Sequence, residues 1–351
     1  MKIYSFVRMQ FTAAVGIFAL LITGSVLRAQ SISMSYVTVG NPGNAPDPAT
    51  GSLYGSVSYA YNIGEYDVTD SQYCTFLNAV DPTGANALAL YNTNMTTDAE
   101  GGINFDPNGV NGQKFSIKTG YSQMPVVDVD YWDTLRFANY LDNGNTETGA
   151  YTLLGGNTDG YGTPTNASTV TKNGGATVWL PSESEWYKAA YYNPQLNGGN
   201  GGYYTYATQS NNTPGNVSGS GSNQANYWNG VYSVTQSSSD DPNQNYLTTV
   251  GSFTGSASYY GTYDQSGNVY NWSDALVNSQ DPVIRGGSWY YAGGAGNVAS
   301  YTHYNFTPTL ANYSVGFPVA SSITAVPEPS TWAMMAVGVG ALLGFRWHRR
   351  S

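Results

Sequence analysis

Apolar residues along this chain fall in short blocks rather than long periodic runs. Tyr73, Phe76, Leu77 and Val80 recur at helical spacing behind Thr69-Asp-Ser-Gln72. A Thr followed three residues later by Gln can satisfy two orphan amides reciprocally, so a helix over 71–80 is predicted. Asp130-Tyr-Trp-Asp133 opens a second helix through Leu141, stopped by Asp142-Asn-Gly144 because Gly accepts the left-handed backbone that ends a helix. Ser182-Glu-Ser-Glu185 repeats the capping pattern and predicts a helix from Glu183 to about Tyr191, ahead of Pro194. Strands are expected at 37–39, 64–68, 126–129, 178–180, 283–287 and 316–319. Between these elements run connectors rich in Gly, Asn, Ser and Thr, at 92–114, 154–175, 193–226 and 233–246. Loops this long are uncommon in a compact domain unless they are functional or tied down. No internal repeat is visible. Few helices, scattered short strands and heavy loops predict a single α+β domain rather than a parallel α/β sheet.

The two ends follow a different pattern. Lys2 and Arg8 precede an apolar run at 11–22, and Ala29-Gln30 offers a small-residue cleavage point, so 1–29 reads as a secretory signal peptide. At 326–351, Val326-Pro-Glu-Pro329 leads into an apolar stretch at 331–345 and the basic end 346–350. That stretch is marginal for crossing a bilayer, and its arginines would stay on the cytoplasmic side. The body between the ends spans 34–322.

Composition narrows the functional classes. Only 10% of the 351 residues are charged, against about 25% in an ordinary soluble domain. The 31 Tyr, 8 Trp and 11 Phe are ample material for a core. Lys and Arg total 12 against 22 Asp and Glu, and half of the basic residues lie in the two ends. The body is left at roughly −15, which repels phosphate backbones and attracts divalent cations; no nucleic acid is expected. Cys74 is the single cysteine, so there is no intrachain disulfide. His303 and His348 are the only histidines, too few for a histidine-built zinc, copper or iron site.

Six blocks occur in order along the body. They are Gly64-Glu-Tyr-Asp-Val-Thr-Asp-Ser-Gln-Tyr73, Met124-Pro-Val-Val-Asp-Val-Asp130, Trp179-Leu-Pro-Ser-Glu-Ser-Glu-Trp186, Gly261-Thr-Tyr-Asp-Gln-Ser-Gly-Asn-Val-Tyr-Asn-Trp272, Arg285-Gly-Gly-Ser-Trp289 and Val315-Gly-Phe-Pro-Val319. Together they resemble the sulfatase-modifying-factor family, the domain of formylglycine-generating enzymes. The resemblance implies one loop-rich α+β domain related to the C-type-lectin-like fold and braced by calcium. The tail resembles the PEP-CTERM sorting signal of Gram-negative bacteria. That implies export, an exosortase-type processing enzyme as partner, membrane contact through 331–345 before processing, and association with exopolysaccharide or the cell surface.

Calcium takes several oxygen ligands from carboxylates, amides and carbonyls. The resemblance implies a site at Asp264, Gly267, Val269 and Asn271, with Asn271 where the family usually has Glu. A second would start at Asn226 and the carbonyl of Tyr227, with Asp240 or Asp241 as acidic partner. The family's catalytic pair of cysteines follows the Gly-Gly-Ser block, and residues 288–303 contain none. Without thiolates copper is not expected, and without a histidine motif iron is not expected either; no catalytic residue is assigned. Cys74 reads as a small core residue, and Arg285 either pairs with a core carboxylate or contacts a ligand. Three readings remain. A non-catalytic binding module ranks first, contacting polysaccharide or a surface protein through Trp228, Tyr259, Tyr260, Arg285, Trp289, Tyr290 and Tyr291. An inert matrix protein comes second, and an enzyme using Asp264, Asp274, Glu183 or Glu185 as acid or base comes third.

Overall fold

The computed structural model describes residues 32–323, except 157–158, 279 and 291–292. The expected leader 1–29, the tail 326–351 with its apolar stretch, and Tyr291 lie outside the described residues. Among the described residues no helix is long and apolar enough to cross a membrane.

The strands in chain order are β1 (Tyr36–Val39), β2 (Tyr61–Gly64), β3 (Ile103–Phe105), β4 (Phe115–Ile117), β5 (Val178–Trp179), β6 (Tyr192–Asn193), β7 (Gly202–Tyr203), β8 (Tyr270–Val277), β9 (Asp281–Arg285), β10 (Tyr304–Asn305), β11 (Val315–Gly316) and β12 (Ala320–Ser321). The helices that matter for the site are α1 (Asp70–Val80), the single turn α2 (Asn94–Thr97), α3 (Tyr131–Asn143) and α4 (Glu183–Tyr191). One antiparallel sheet has the order β1-β2-β12-β5. The other runs β10-β9-β8-β11, antiparallel except for the β8–β11 pair. β3–β4 and β6–β7 are separate two-stranded ribbons.

All three predicted helices form, and for the predicted reason. Thr69, Ser182 and Asp130 each accept the N3 backbone amide while the N3 side chain returns to the cap. Gly144 ends α3 in the left-handed conformation. α1 and α3 then meet through aromatic faces, with Phe76 and Phe137 ring centres 5.3 Å apart and Phe137 against Phe317 at 5.4 Å. This core continues under both four-stranded sheets through Ile63, Val319, Trp272 and Ile284, none of them exposed.

The strands depart further from expectation. The run at 64–68 pairs only at Gly64, because β2 begins earlier, at Tyr61. At 126–129 no strand forms: Val126 donates to Val68 at 2.8 Å, but Asp128 turns to a left-handed φ of 60° and breaks the run. β9 stops at Arg285 because Gly286 and Gly287 take φ of 95° and 74°. The eight-residue β8 was not anticipated as a strand at all. Its first four residues are all buried, which erases the alternation that marks a half-exposed strand.

Candidate functional site

The turn entering β8 brings together residues that are far apart in sequence. Gly267 has a φ of 105°, and a Cβ there would lie 2.3 Å from the Asn226 carbonyl oxygen, so only glycine allows this approach. The Asn268 amide donates to that carbonyl at 2.7 Å, and the Asn226 side-chain amide donates to Asn268 Oδ1 and to the Tyr246 carbonyl. The two expected calcium sets, one at 226–227 and one at 264–271, therefore meet at one crossing. Asp264 is held in a left-handed conformation, and its Oδ2 accepts the Gly251 amide at 2.7 Å. Burial raises its carboxyl to about 6, with the Gly251 bond opposing.

The oxygen of Asn271 points elsewhere. It accepts the Trp186 indole N–H at 2.9 Å, so the amide nitrogen faces the Val269 carbonyl and Asp67. Asp67 is buried and its Oδ2 has no hydrogen-bond partner among the described residues. Burial, then the charge of Asp264, push its carboxyl well above the usual range. Nothing in the sequence singled out Asp67, which lay inside an expected strand. Asp240 and Asp241 are exposed, and the Asp241 amide meets the hydroxyl end of Tyr246, away from the carbonyl end that Asn226 binds. The Tyr227 carbonyl accepts from Asn216 at 3.3 Å. Among the described residues no set of three His, Cys, Asp or Glu side chains converges to hold a metal.

The aromatic candidates separate into different places. Trp289 is buried and stacks on Tyr246, with ring centres 4.9 Å apart; Trp228 joins the same cluster through Tyr232 at 4.6 Å. Tyr290 stands edge-on to Trp289 at 5.1 Å and is 43% exposed. Beside it opens a hollow of about 200 Å³ lined by Tyr270, Tyr290, Tyr304, Phe306, Asn312 and Tyr313 among others. Tyr304, Phe306 and Tyr313 were not anticipated; Tyr304 lies in the two-residue β10 and the other two in the irregular chain after it, with no periodicity to single them out. Tyr259 and Tyr260 pack on each other elsewhere, with the Tyr260 hydroxyl on Asn41 at 3.1 Å.

Arg285 is a core residue and offers no surface to a ligand. It is 1% exposed, contacts Glu183 at 2.6 Å, donates to the Ser300 carbonyl at 2.9 Å, and lies over the rings of Tyr54 and Tyr187. His303 Nδ1 meets the same Glu183 oxygen at 2.7 Å. The other carboxylates considered as acid or base are also engaged. Glu185 caps α4 and accepts from Trp179 and Tyr59, and Asp274 accepts from Tyr151 and Tyr131. Cys74 is buried, and burial followed by the charge of Asp70 pushes its thiol up to about 12, so it behaves as an inert core residue.

Two four-stranded sheets, one antiparallel and one mixed, with capped helices and long structured connectors define a single α+β domain of the formylglycine-generating-enzyme type. Residues 51–323 match the sulfatase-modifying factor enzyme 1-like domain, and the chain belongs to that family. Residues 325–350 match the PEP-CTERM protein-sorting motif, which marks a protein exported to the surface or exterior of Gram-negative bacteria and handled by an exosortase-type system. Among solved structures, variable protein 1 of Treponema denticola is similar at 18% identity and a TM-score of 0.49, over 84% of this chain and 97% of that one. CarF gives 20% identity and 0.47 over 84% and 100% of the two chains. PvdO from Pseudomonas aeruginosa gives 17% and 0.42 over 83% and 92%. No curated protein matches the chain in sequence.

Proposed function

We propose that this exported protein is a non-catalytic binding module that retains neutral polysaccharide through the aromatic hollow beside Tyr290. The observation that carries this reading is the hollow itself, rimmed by the exposed rings of Tyr290 and Phe306, with the Asn312 amide close by. Flat apolar faces next to hydrogen-bonding groups suit the two sides of a sugar ring. The hollow adjoins the stretch 288–303, where the family's cysteine pair is missing from this sequence. With the body near −15, an acidic polymer would be repelled, which favours a neutral one.

Calcium belongs to the same reading as a brace rather than a catalyst. Asp264 and the carbonyls of Gly267 and Val269 supply oxygens, and carbonyls keep a second lone pair when they accept a hydrogen bond. Asn271 does not fit, because its oxygen is given to Trp186. Asp67, with its unpartnered buried oxygen, takes the acidic place.

Affinity electrophoresis of the full chain through gels containing neutral or acidic polysaccharides tests the proposal. Retention by a neutral polymer, weakened about tenfold in Tyr290→Ala and Phe306→Ala at unchanged melting temperature and with no new reducing ends, is expected. Equal mobility of wild type and both variants in every gel would remove the hollow from consideration.

A further inference from the structure

A second acidic pair lies beneath the start of α1, apart from the loop at Asp264. Asp70 is 1% exposed and Asp128 is fully buried, and none of their four carboxylate oxygens has a hydrogen-bond partner among the described residues. The chain segments that carry them are laced together. The Asp70 amide donates to the Met124 carbonyl at 3.0 Å, the Val126 amide to Val68 at 2.8 Å, and Thr69 bridges to Pro125. Asp128 then leaves this ladder in its left-handed conformation, close enough for its charge to act on Asp70. The third wall is bare backbone: a Cβ on Gly102 would lie 1.9 Å from Asp70 Oδ2.

Among the described residues no ion pair joins either of these groups. Lys118 is the cation whose charge both carboxylates feel, yet its Nζ donates to the Asp98 carbonyl at 3.1 Å and sits 5.6 Å from the centre of the Tyr121 ring. It forms no ion pair with either aspartate. Asp98, and after it the buried Glu100, add negative charge beside Asp128. Two ionised carboxylates without donors are costly inside a protein, so this interior calls for either a cation or bound protons.

We infer that Asp70 and Asp128 form a calcium seat of their own, which ties the first turn of α1 to the 124–128 segment and to the backbone at Gly102. The donor set selects the ion. It is anionic and all oxygen, with no imidazole or thiolate, which suits a hard divalent cation with flexible geometry. Because no third acidic side chain converges there, backbone carbonyls and water complete the shell. Asp67 feels the charge of Asp264, whereas Asp70 feels that of Asp128, which in turn feels Asp98 and Glu100 but not Asp264. The second seat therefore stands or falls independently of the brace at Asp264.

The test is a calcium count on the full chain, equilibrated with calcium, freed of loose ion and measured by elemental mass spectrometry. Asp70→Asn combined with Asp128→Asn should lose about one equivalent relative to wild type while keeping the equivalent that Asp264→Asn loses. An unchanged count in the Asp70/Asp128 variant would overturn the inference, whatever Asp264→Asn does. Should that variant fail to fold, infrared difference spectra of Asp264→Asn with and without calcium decide the matter. Loss of a protonated-carboxyl band on adding calcium supports the seat, and an unaltered band means that the pair holds protons instead.

Discussion

Arg285 illustrates how much one buried residue can organise. Its guanidinium binds Glu183, two backbone carbonyls and two tyrosine faces, and Glu183 in turn meets His303. Replacing one partner of a buried pair leaves the other charged and unpaired, at a cost of about 3–5 kcal/mol. Arg285→Ala should therefore lower stability by that order in urea unfolding, and Glu183→Gln by less, because the amide oxygen still accepts. A loss below about 1 kcal/mol for Arg285→Ala would mean that the pair is no better than a surface ion pair. A core carboxylate for Arg285 was expected from the sequence, since a buried guanidinium needs one. That it would be Glu183 was not legible, because 102 residues separate the two.

At the scale of elements, the helices were readable with their ends, whereas of the strands those at 37–39 and 178–180 were readable and the pairing of strands was not. A capping box is written within four residues, so Thr69, Asp130 and Ser182 announced their helices locally. Thr69→Ala and Ser182→Ala should each cost about 1 kcal/mol, seen as a lower urea midpoint with an unchanged slope. No change in either variant would show that packing alone holds α1 and α4 in place. Strand pairing is a different kind of information. β2 finds its partner in β12, more than 250 residues away, and β8 takes neighbours on both sides from later in the chain. A run buried on both faces carries no alternation to betray it.

Over the whole molecule the dominant feature is acid kept inside. Burial raises Asp133 to about 7, with the Asp130 hydrogen bond and Arg136 opposing; it also raises Glu100 to about 7, against backbone hydrogen bonds. Unfolded carboxyls titrate near 4. The native state therefore binds more protons than the unfolded state between about pH 4 and 7, and stability falls as pH rises through that window. In the presence of a chelator, the urea midpoint should be higher at pH 5 than at pH 8, and added calcium should restore the loss at pH 8. A midpoint that climbs with pH in chelator would show that these carboxyls are ionised and paired in the native state.

The sequence by itself determined the helix ends, the family through six ordered blocks, and the sorting tail. These depend on residue type and short spacing, which a linear chain displays directly. Only the tertiary structure decided which acids face one another, that Asn271 spends its oxygen on Trp186, and that Tyr290 and Phe306 share a hollow while Trp289 lies behind it. Those outcomes rest on contacts between distant segments, set by the close approach at Gly267 and by the path of irregular connectors. No local propensity encodes that path, because its conformation is chosen by the groups it must satisfy once the core has closed.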